Sequence, residues 1–268
     1  MREIIVRTIS GILYVLVVIF PMYTNSRELF MGLFLILGLQ TIKEFKKLID
    51  LKSFTPYLLL PILLLPISYY SPGAIVLYTY LGCSLLIGIL LAKDLLSTAS
   101  NTLFKEQKYI PIIFYISSGF VFLTLIPFSN GAFMPEIIVG VFVLIWCNDT
   151  FAYIIGKSFG RNKLLERISP KKTFEGFFGG LTGAIIAGCI IFKLTNIYDL
   201  TIWLTLALII SLIGTIGDLI QSKYKRQAGV KDSGNLMPGH GGLYDRLDSV
   251  IYTSPFIYAF LEIVTHVS

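Results

Sequence analysis

The chain has 268 residues, of which 55% are hydrophobic and 14% are charged, and its formal net charge is +6. Soluble domains carry about 25% charged residues, so this composition, with a mean hydropathy of +0.77, excludes an ordinary soluble domain. The apolar runs predict transmembrane helices, and no alternating pattern of about ten residues favours a membrane β-barrel. Because no soluble basic domain carries the positive charge, we expect no nucleic acid among the partners.

Nine apolar segments predict membrane-spanning helices. They lie at about residues 8–24, 28–43, 55–70, 74–92, 109–127, 134–155, 174–194, 200–220 and 249–266. The first follows Arg2 and Arg7, as in a signal peptide, but no cleavage site of small residues comes after it, so we interpret it as a retained helix. The third contains Pro56, Pro61 and Pro66, which predict a kinked or distorted helix.

Basic residues predict the orientation, because they concentrate in the cytoplasmic loops of membrane proteins. With the N-terminus in the cytoplasm, Arg27 and Lys193 fall outside and the other 20 of the 22 basic residues fall inside. The predicted fold class is therefore an all-α polytopic integral membrane protein of about nine transmembrane helices, with the N-terminus cytoplasmic and the C-terminus outside. Such a basic cytoplasmic face attracts anionic lipids and nucleotide phosphates.

The distribution of polar residues divides the chain near residue 130. Residues 1–130 carry almost no intramembrane charge and predict a lipid-facing scaffold of five spans. Residues 131–268 hold the unusual polar residues, and include the cytoplasmic loops 156–173 and 221–248. We expect the functional region here, partly because a loop as long as the second is usually functional or disordered.

Asp149 lies well inside the sixth apolar segment. A carboxylate within a membrane costs about 3 kcal/mol or more and marks a functional site by default. On a helix, Asp149, Tyr153 and Lys157 form one stripe that runs towards the cytoplasm. The alternative interpretation is that Asp149 pairs with Lys157, or with another base, for packing alone.

The loop after this segment contains Ser169-Pro170-Lys171-Lys172. Ser169 and Pro170 suit an N-cap and a first helical position, and two lysines beside a helix N-terminus predict a phosphate site. The other basic residues of this loop are better explained as solvated charges that set the topology: Arg161, Lys163 and Arg167.

The seventh segment carries small residues at helical spacing, namely Gly176, Gly180, Ala184 and Gly188. This face allows a neighbouring helix to approach closely. A substrate groove is the alternative interpretation of the same face.

The densest polar stretch runs from Asp218 to Asp248. Lysine and arginine bind phosphate oxygens, carboxylates bind hard cations, and glycines let backbone amides approach an anion. The stretch therefore predicts a phosphate-and-metal site facing a membrane. Asp218 at the end of one span and Asp245 at the start of the next are expected to meet there.

The spacing within this stretch resembles a family signature. It reads Ser222-x-x-Lys225-Arg226, then Lys231-Asp232, then Pro238-x-His240-Gly241-Gly242-x-x-Asp245-Arg246-x-Asp248. Together with Asn148-Asp149-Thr150 and Ser169-Pro-Lys-Lys-Thr173-x-Glu175-Gly176 upstream, it is similar to the signature of phosphatidate cytidylyltransferases, also called CDP-diacylglycerol synthases. The resemblance covers roughly residues 137–266.

The resemblance implies that CTP and phosphatidic acid react to give CDP-diacylglycerol and pyrophosphate at the cytoplasmic membrane face. It implies magnesium, alone or with a second cation, membrane lipids as partners, a homodimer, and a bacterial cytoplasmic membrane location. The expected catalytic residues are Asp149, Asp218, Lys225, Arg226 and Asp245. The expected metal ligands are Asp218 and Asp245, with Asp149 and Asp248 in or next to the coordination sphere. The expected substrate-binding residues are Lys171, Lys172, Thr173, Glu175, Ser222, Lys231, Asp232, His240, Gly241, Gly242 and Arg246.

Alternative functions come from two classes. Another CTP-dependent lipid enzyme, such as a polyprenol or phytol kinase or a CDP-archaeol synthase, would share much of the fold. An ion-coupled transporter would use Asp149 and Asp218 as an intramembrane ion site. The transporter is disfavoured because the polar residues gather at one face and no internal repeat is visible. For His240, a general base, a phosphate donor and a structural hydrogen bonder all stay open.

Overall fold

The computed structural model describes residues 2–70, 73–97, 103–129, 131–237 and 241–267. Its helices are α1 (Arg2–Tyr23), α2 (Arg27–Leu48), α3 (Thr55–Tyr70), α4 (Ala74–Leu96), α5 (Tyr109–Phe128), α6 (Pro135–Phe159), α7 (Phe174–Thr195), α8 (Leu200–Gln227) and α9 (Tyr244–Val267). Two short antiparallel strands, β1 (Lys163–Leu165) and β2 (Ser169–Thr173), form a hairpin between α6 and α7.

Within the described residues, six helices are long and apolar enough to cross a membrane, and they are α4 to α9. This agrees with an all-α integral membrane protein in which the hairpin is a small addition. Each of the nine predicted segments overlaps one helix, but α3 has only 16 residues and α2 is charged at both ends. Nine crossings and the orientation of the termini therefore stay predictions.

The centre of the bundle is α5, whose membrane span is 78% buried. It is not a uniform α-helix, because Ile112–Ser117 forms a π-helical turn and Ile126–Phe128 a 3₁₀ turn. π-turns of this kind occur frequently near functional sites. Here the turn carries Tyr115, which reaches the start of α9. The helix α3 runs without interruption through Pro61 and Pro66.

The predicted helix start at Ser169 and Pro170 is wrong. Both residues lie in β2, where Ser169 pairs with Leu165 of β1. The fixed φ of proline suits an extended strand as well as a first helical turn, and the pairing with β1 decides between them. The helix α7 begins instead after Thr173, an N-cap whose hydroxyl accepts a hydrogen bond from the Gly176 N–H at 3.1 Å.

The small-residue face of α7 packs against α6 of the same chain. A Cβ atom at Gly180 would lie 2.8 Å from the Asn148 carbonyl oxygen and 3.0 Å from the Ala152 Cβ, and one at Gly183 would overlap the Phe151 ring. Small residues thus bring the two backbones together, as the sequence predicts. Because the chain's own helix covers this face, the face lends no support to the homodimer, which stays a prediction.

We expect Gly180→Leu to destabilise the protein through a clash between α7 and α6. Overpacking of a tight contact typically costs about 1–3 kcal/mol, so the variant should unfold at a lower temperature in detergent. The matched control is Gly82→Leu on α4, where an added Cβ meets no atom within 4 Å. Equal unfolding temperatures for the two variants would contradict a close α6–α7 contact.

Candidate active site

A cavity of about 420 Å³ lies at the end of the bundle where α6 and α8 finish and α7 and α9 begin. It reaches inward to Asn148 and Gly214. Charged side chains from four separate parts of the sequence line it. The acidic residues are Asp149, Asp218, Asp232, Asp245 and Asp248, and the basic residues are Lys171, Lys172, Lys225 and Arg246. The fold thus brings most of the sequence-predicted site residues to one cavity.

Asp218 on α8 forms an ion pair with Lys172 on β2. Both side chains are partly exposed, at 35% and 23% respectively. An ammonium group has three donors, so Lys172 keeps N–H groups for another anion while it holds Asp218. The pair also links the hairpin to α8, so β2 rather than a helix start places the lysine at the cavity.

The negative charges of Asp149 and Asp248 are less well balanced than that of Asp218. Among the described residues neither forms an ion pair: Asp149 accepts a bond from Asn148 Nδ2 at 3.3 Å, and Asp248 accepts one from the Ser249 N–H at 2.8 Å. Their carboxylates and that of Asp218 interact coulombically with one another. The cavity therefore holds negative charge that the described protein groups only partly balance.

The structure does not support the interpretation that Asp149 pairs with Lys157 for packing. The Lys157 ammonium lies over the Tyr153 ring, 5.7 Å from its centroid, and makes no ion pair with Asp149. Tyr153 itself lines the cavity. The predicted stripe is thus present on α6, but its lysine faces the aromatic ring.

Asp245 is the most heavily bonded carboxylate of the cavity. Its Oδ1 atom accepts from Lys225 Nζ at 2.8 Å and from Gln221 Nε2 at 3.3 Å. Its Oδ2 atom accepts from the N–H groups of Ser233 at 2.8 Å and Gly242 at 2.9 Å, and lies 3.0 Å from Ser233 Oγ. Asp245 therefore ties α8 to the loop before α9, which is a structural role.

Glu44 on α2 supports the same loop from the opposite side. Its side chain is 3% exposed and accepts hydrogen bonds from the N–H groups of Leu243 at 3.0 Å and Tyr244 at 2.9 Å. It also accepts from Ser233 Oγ at 2.7 Å. Residues 1–130 are thus more than a lipid-facing scaffold, because one of their carboxylates shapes the site.

An aromatic cluster fixes the first residue of α9. The Tyr244 hydroxyl lies 2.9 Å from the Tyr115 hydroxyl of the π-turn in α5, and its ring packs edge-on against Phe45 of α2. Tyr244 is fully buried. The next residue, Asp245, is therefore held on the cavity side by packing on one flank and by hydrogen bonds on the other.

Two glycines of the motif serve the packing of the loop. Gly241 has a φ of +83°, which residues with a Cβ rarely adopt. A Cβ at Gly242 would overlap the Glu44 carboxylate and the Ser233 hydroxyl. The Gly242 N–H group points to Asp245, so in this structure the anion it approaches is the protein's own carboxylate.

Several predicted site residues lie outside the cavity lining. Glu175 accepts from the N–H groups of Arg161 at 3.0 Å and Asn162 at 3.1 Å, and so closes the base of the hairpin. Ser222 is buried within α8. The remaining residues away from the lining are exposed Arg226 and Lys231 and the loop glycines Gly241 and Gly242. His240 lies outside the described residues.

Arg167 is exposed, as the sequence predicts, and it also caps a helix. Its guanidinium donates to the carbonyl oxygens of Leu95 at 3.1 Å and Ser97 at 2.6 Å, at the C-terminal end of α4. A buried ion pair between Lys223 and Asp94, 2.8 Å long, ties the same end of α4 to α8. Cations favour helix C-termini because free carbonyl groups gather there. Both contacts brace the hairpin and α8 beside the cavity.

Comparison with known proteins identifies the family. A model of the cytidylyltransferase family matches residues 5–264. The chain belongs to the cytidylyltransferase family. A phosphatidate cytidylyltransferase of Staphylococcus haemolyticus is 32% identical over 260 residues, which cover 94% of this chain and 96% of that protein. A protein with the same name from Staphylococcus saprophyticus is 36% identical over 63% of this chain and 64% of its own length. Another, from Staphylococcus aureus, is 39% identical over 53% of this chain and 54% of its own length. The resemblance inferred from the motifs is thereby confirmed.

The donor set of this cytidylyltransferase fits a divalent cation that is bound together with substrate. Within the described parts of the chain, no three acidic, histidine or cysteine side chains form a metal cluster by themselves. Magnesium does not need one, because it is usually held by one or two carboxylates, substrate phosphates and water. Asp149 and Asp248 lie beside Asp218 and form no ion pair with any described residue, so they are suitable oxygen donors for such an ion.

Sequence reasoning missed several side chains that touch or support the site. Gln221 follows Asp218 by three residues on α8 and lines the cavity. Ser233 and Glu44 hold the loop, and the Tyr14 hydroxyl of α1 lies 3.4 Å from the Arg246 carbonyl oxygen. Gln221 could have been found from its position on the same helix face as Asp218 and Lys225. Glu44 and Tyr14 carry no sequence signal, because their partners lie far along the chain, and Ser233 is not a position of the motif.

Proposed function

We propose that this cytidylyltransferase makes CDP-diacylglycerol and pyrophosphate from CTP and phosphatidic acid, at the cytoplasmic face of the membrane. The observation that carries the proposal is the cavity, where five carboxylates and four basic groups meet at the end of an apolar bundle. A site for two anionic phosphates and a cation requires such a mixture. The relatives named phosphatidate cytidylyltransferase support the choice of lipid substrate.

The proposed reaction requires little proton transfer by the protein. The attacking group is a phosphate oxygen of phosphatidic acid, which is largely ionised near neutral pH because a second phosphate pKa lies near 6. It forms a bond to the α-phosphorus of CTP, and the bond from that phosphorus to the bridging oxygen breaks. Pyrophosphate leaves with the bonding electron pair. The protein must therefore align two anions that repel each other and stabilise the leaving group.

The basic residues of the cavity perform this alignment. Lys172 and Lys225 are each held by one carboxylate and keep further N–H groups for phosphate oxygens. Arg246 follows Asp245 on α9 and lines the cavity, so the loop that fixes the aspartate also places the backbone of the arginine. Lys171 adds a further positive charge from β2. We assign the phosphates of CTP and the lipid headgroup to these four groups.

We propose Asp218 and Asp245 as the magnesium ligands, with Asp149 and Asp248 in or next to the coordination sphere. Bound magnesium would neutralise phosphate charge and stabilise the leaving pyrophosphate. Asp218 and Asp245 would hold the ion, and Lys172 and Lys225, which lie beside them, would bind the phosphates. Asp245 keeps its Oδ2 bonds to Ser233 and Gly242 and thereby stays in place.

An apolar groove suits the acyl chains of the lipid. It has a volume of about 770 Å³ and lies along α6, between α1 and α7. Phe151 lines the groove, and the next residue, Ala152, lines the cavity. A lipid with its chains in this groove would present its phosphate at the charged end.

A direct test measures pyrophosphate release from CTP and magnesium by the full chain in detergent, with and without phosphatidic acid. Asp218→Asn should lose about a hundredfold or more in turnover, because removing a principal electrostatic stabiliser costs about 3 kcal/mol. Asp245→Asn should lose a similar factor, because the amide removes the charge that would bind magnesium. Asp199→Asn, at the opposite end of α8, is the matched control and should keep full activity.

Pyrophosphate release that does not require the lipid would refute the proposed substrate. CDP release with a phosphorylated alcohol would show a kinase instead. Near-normal turnover and an unchanged magnesium requirement in either cavity variant would remove that residue from the metal site.

The cytoplasmic position of the site is tested by cysteine labelling in cells. In a chain without the native cysteines, a cysteine at the exposed position Glu166 in the hairpin turn should react only with reagents that enter the cytoplasm. A cysteine at the exposed position Glu28, in the first turn of α2, should react with an impermeant reagent from outside. Labelling of both from one side would contradict the orientation.

A further inference from the structure

Glu44 is a carboxylate in a place where carboxylates are costly. It lies on α2, is 3% exposed, and has four hydrogen-bond donors around its two oxygens. Oε1 accepts from Gln40 Nε2 and the Leu243 N–H, both at 3.0 Å. Oε2 accepts from the Tyr244 N–H and Ser233 Oγ. An arrangement that satisfies a buried charge so fully fixes every group that takes part in it.

The groups that Glu44 holds are those that position the cavity residues of α9. Leu243 and Tyr244 directly precede Asp245 and Arg246, and their N–H groups belong to the helix end that lacks intrahelical acceptors. A negative charge also interacts favourably with the positive end of the helix dipole. The start of α9 is therefore fixed to α2 by hydrogen bonds from backbone N–H groups to a side chain about 200 residues earlier in the sequence.

Ser233 couples Glu44 to Asp245. Its hydroxyl lies 2.7 Å from Glu44 Oε2 and 3.0 Å from Asp245 Oδ2. A hydroxyl has one proton to donate, so it serves one of these carboxylates at a time, while the Ser233 N–H bonds to Asp245 at 2.8 Å. A change at Glu44 is thereby transmitted to Asp245 through both Ser233 and the backbone of the loop.

We propose that Glu44 is a positioning residue of the active site, which holds the start of α9 so that Asp245 and Arg246 face the cavity. It does not contact substrate, because it is buried and does not line the cavity. The measurement of pyrophosphate release by Glu44 variants rests on the proposed function. The measurement of hydrogen exchange at the Leu243 and Tyr244 amides does not, so failure of this proposal is distinguishable from failure of the proposed function.

The decisive variant is Glu44→Gln, which keeps the side-chain volume and removes the charge. The amide has one acceptor oxygen, and its NH₂ group would face backbone donors. We expect the Leu243 and Tyr244 amides to exchange hydrogen at least about tenfold faster. We expect kcat for pyrophosphate release to fall by about a hundredfold, because small misplacements of reacting groups can cost that factor in rate. The change in KM for CTP should be smaller.

Three further variants separate positioning from general stability. Ser233→Ala removes only the hydroxyl link and should lower kcat in the same direction. Glu28→Gln changes an exposed glutamate of the same helix and should leave both readouts unchanged. Asp94→Asn removes another buried carboxylate, which bonds Lys223, and should speed exchange in α4 and α8 but not at Leu243 and Tyr244.

Two results would overturn the proposal. One is unchanged exchange at Leu243 and Tyr244 in Glu44→Gln, which would show that the charge does not hold the loop. The other is normal kcat in both Glu44→Gln and Ser233→Ala together with a lower unfolding temperature, which would show that Glu44 only stabilises the fold. If Glu44→Gln does not fold, Ser233→Ala decides the same question.

Discussion

The start of α9 presents backbone N–H groups to a region that water does not reach, and such groups require acceptors. Two carboxylates supply them from opposite sides. Glu44 accepts from the Leu243 and Tyr244 N–H groups, and Asp245 accepts from those of Ser233 and Gly242. The loop before α9 is therefore closed around two buried charges. The position of the cavity residues Asp245, Arg246 and Asp248 follows from that closure.

Carboxylates also position the basic groups inside the cavity. Lys172 holds Asp218 and Lys225 holds Asp245, so the proposed phosphate-binding lysines are placed by the proposed metal ligands. Asp149 and Asp248 have no such cation among the described residues. Such carboxylates cost free energy in an apolar bundle, and residues of this kind usually act on a ligand.

Much of this architecture was accessible from sequence, because local patterns determine it. Apolar runs of sufficient length predicted the helices, and the spacing from Ser222 to Asp248 predicted the family that the comparisons confirm. The charges of the cavity were also predicted as one group, since Asp218 and Asp245 end and begin adjacent helices. Each of these inferences depends on residues that are close in sequence or fixed by a motif.

The parts that sequence did not reveal depend on contacts between distant residues. Glu44 is surrounded by lysines at a helix end and resembles an ordinary loop charge, while its partners follow about 200 residues later. Pro170 suits a strand and a helix start equally, and only pairing with β1 distinguishes them. Arg167 is exposed, but its hydrogen bonds to the carbonyl groups at the end of α4 were not predicted, because no local pattern relates these distant residues.

The most direct test of the cavity as the reaction centre is anomalous diffraction from crystals of the protein with manganese and an unreactive CTP analogue. Manganese replaces magnesium at oxygen-rich sites and has a distinct absorption edge. We expect an anomalous peak in the cavity, within coordination distance of Asp218 and of a phosphate oxygen of the nucleotide. A nucleotide and metal bound elsewhere, with none of Asp149, Asp218, Asp245 and Asp248 near them, would contradict the account.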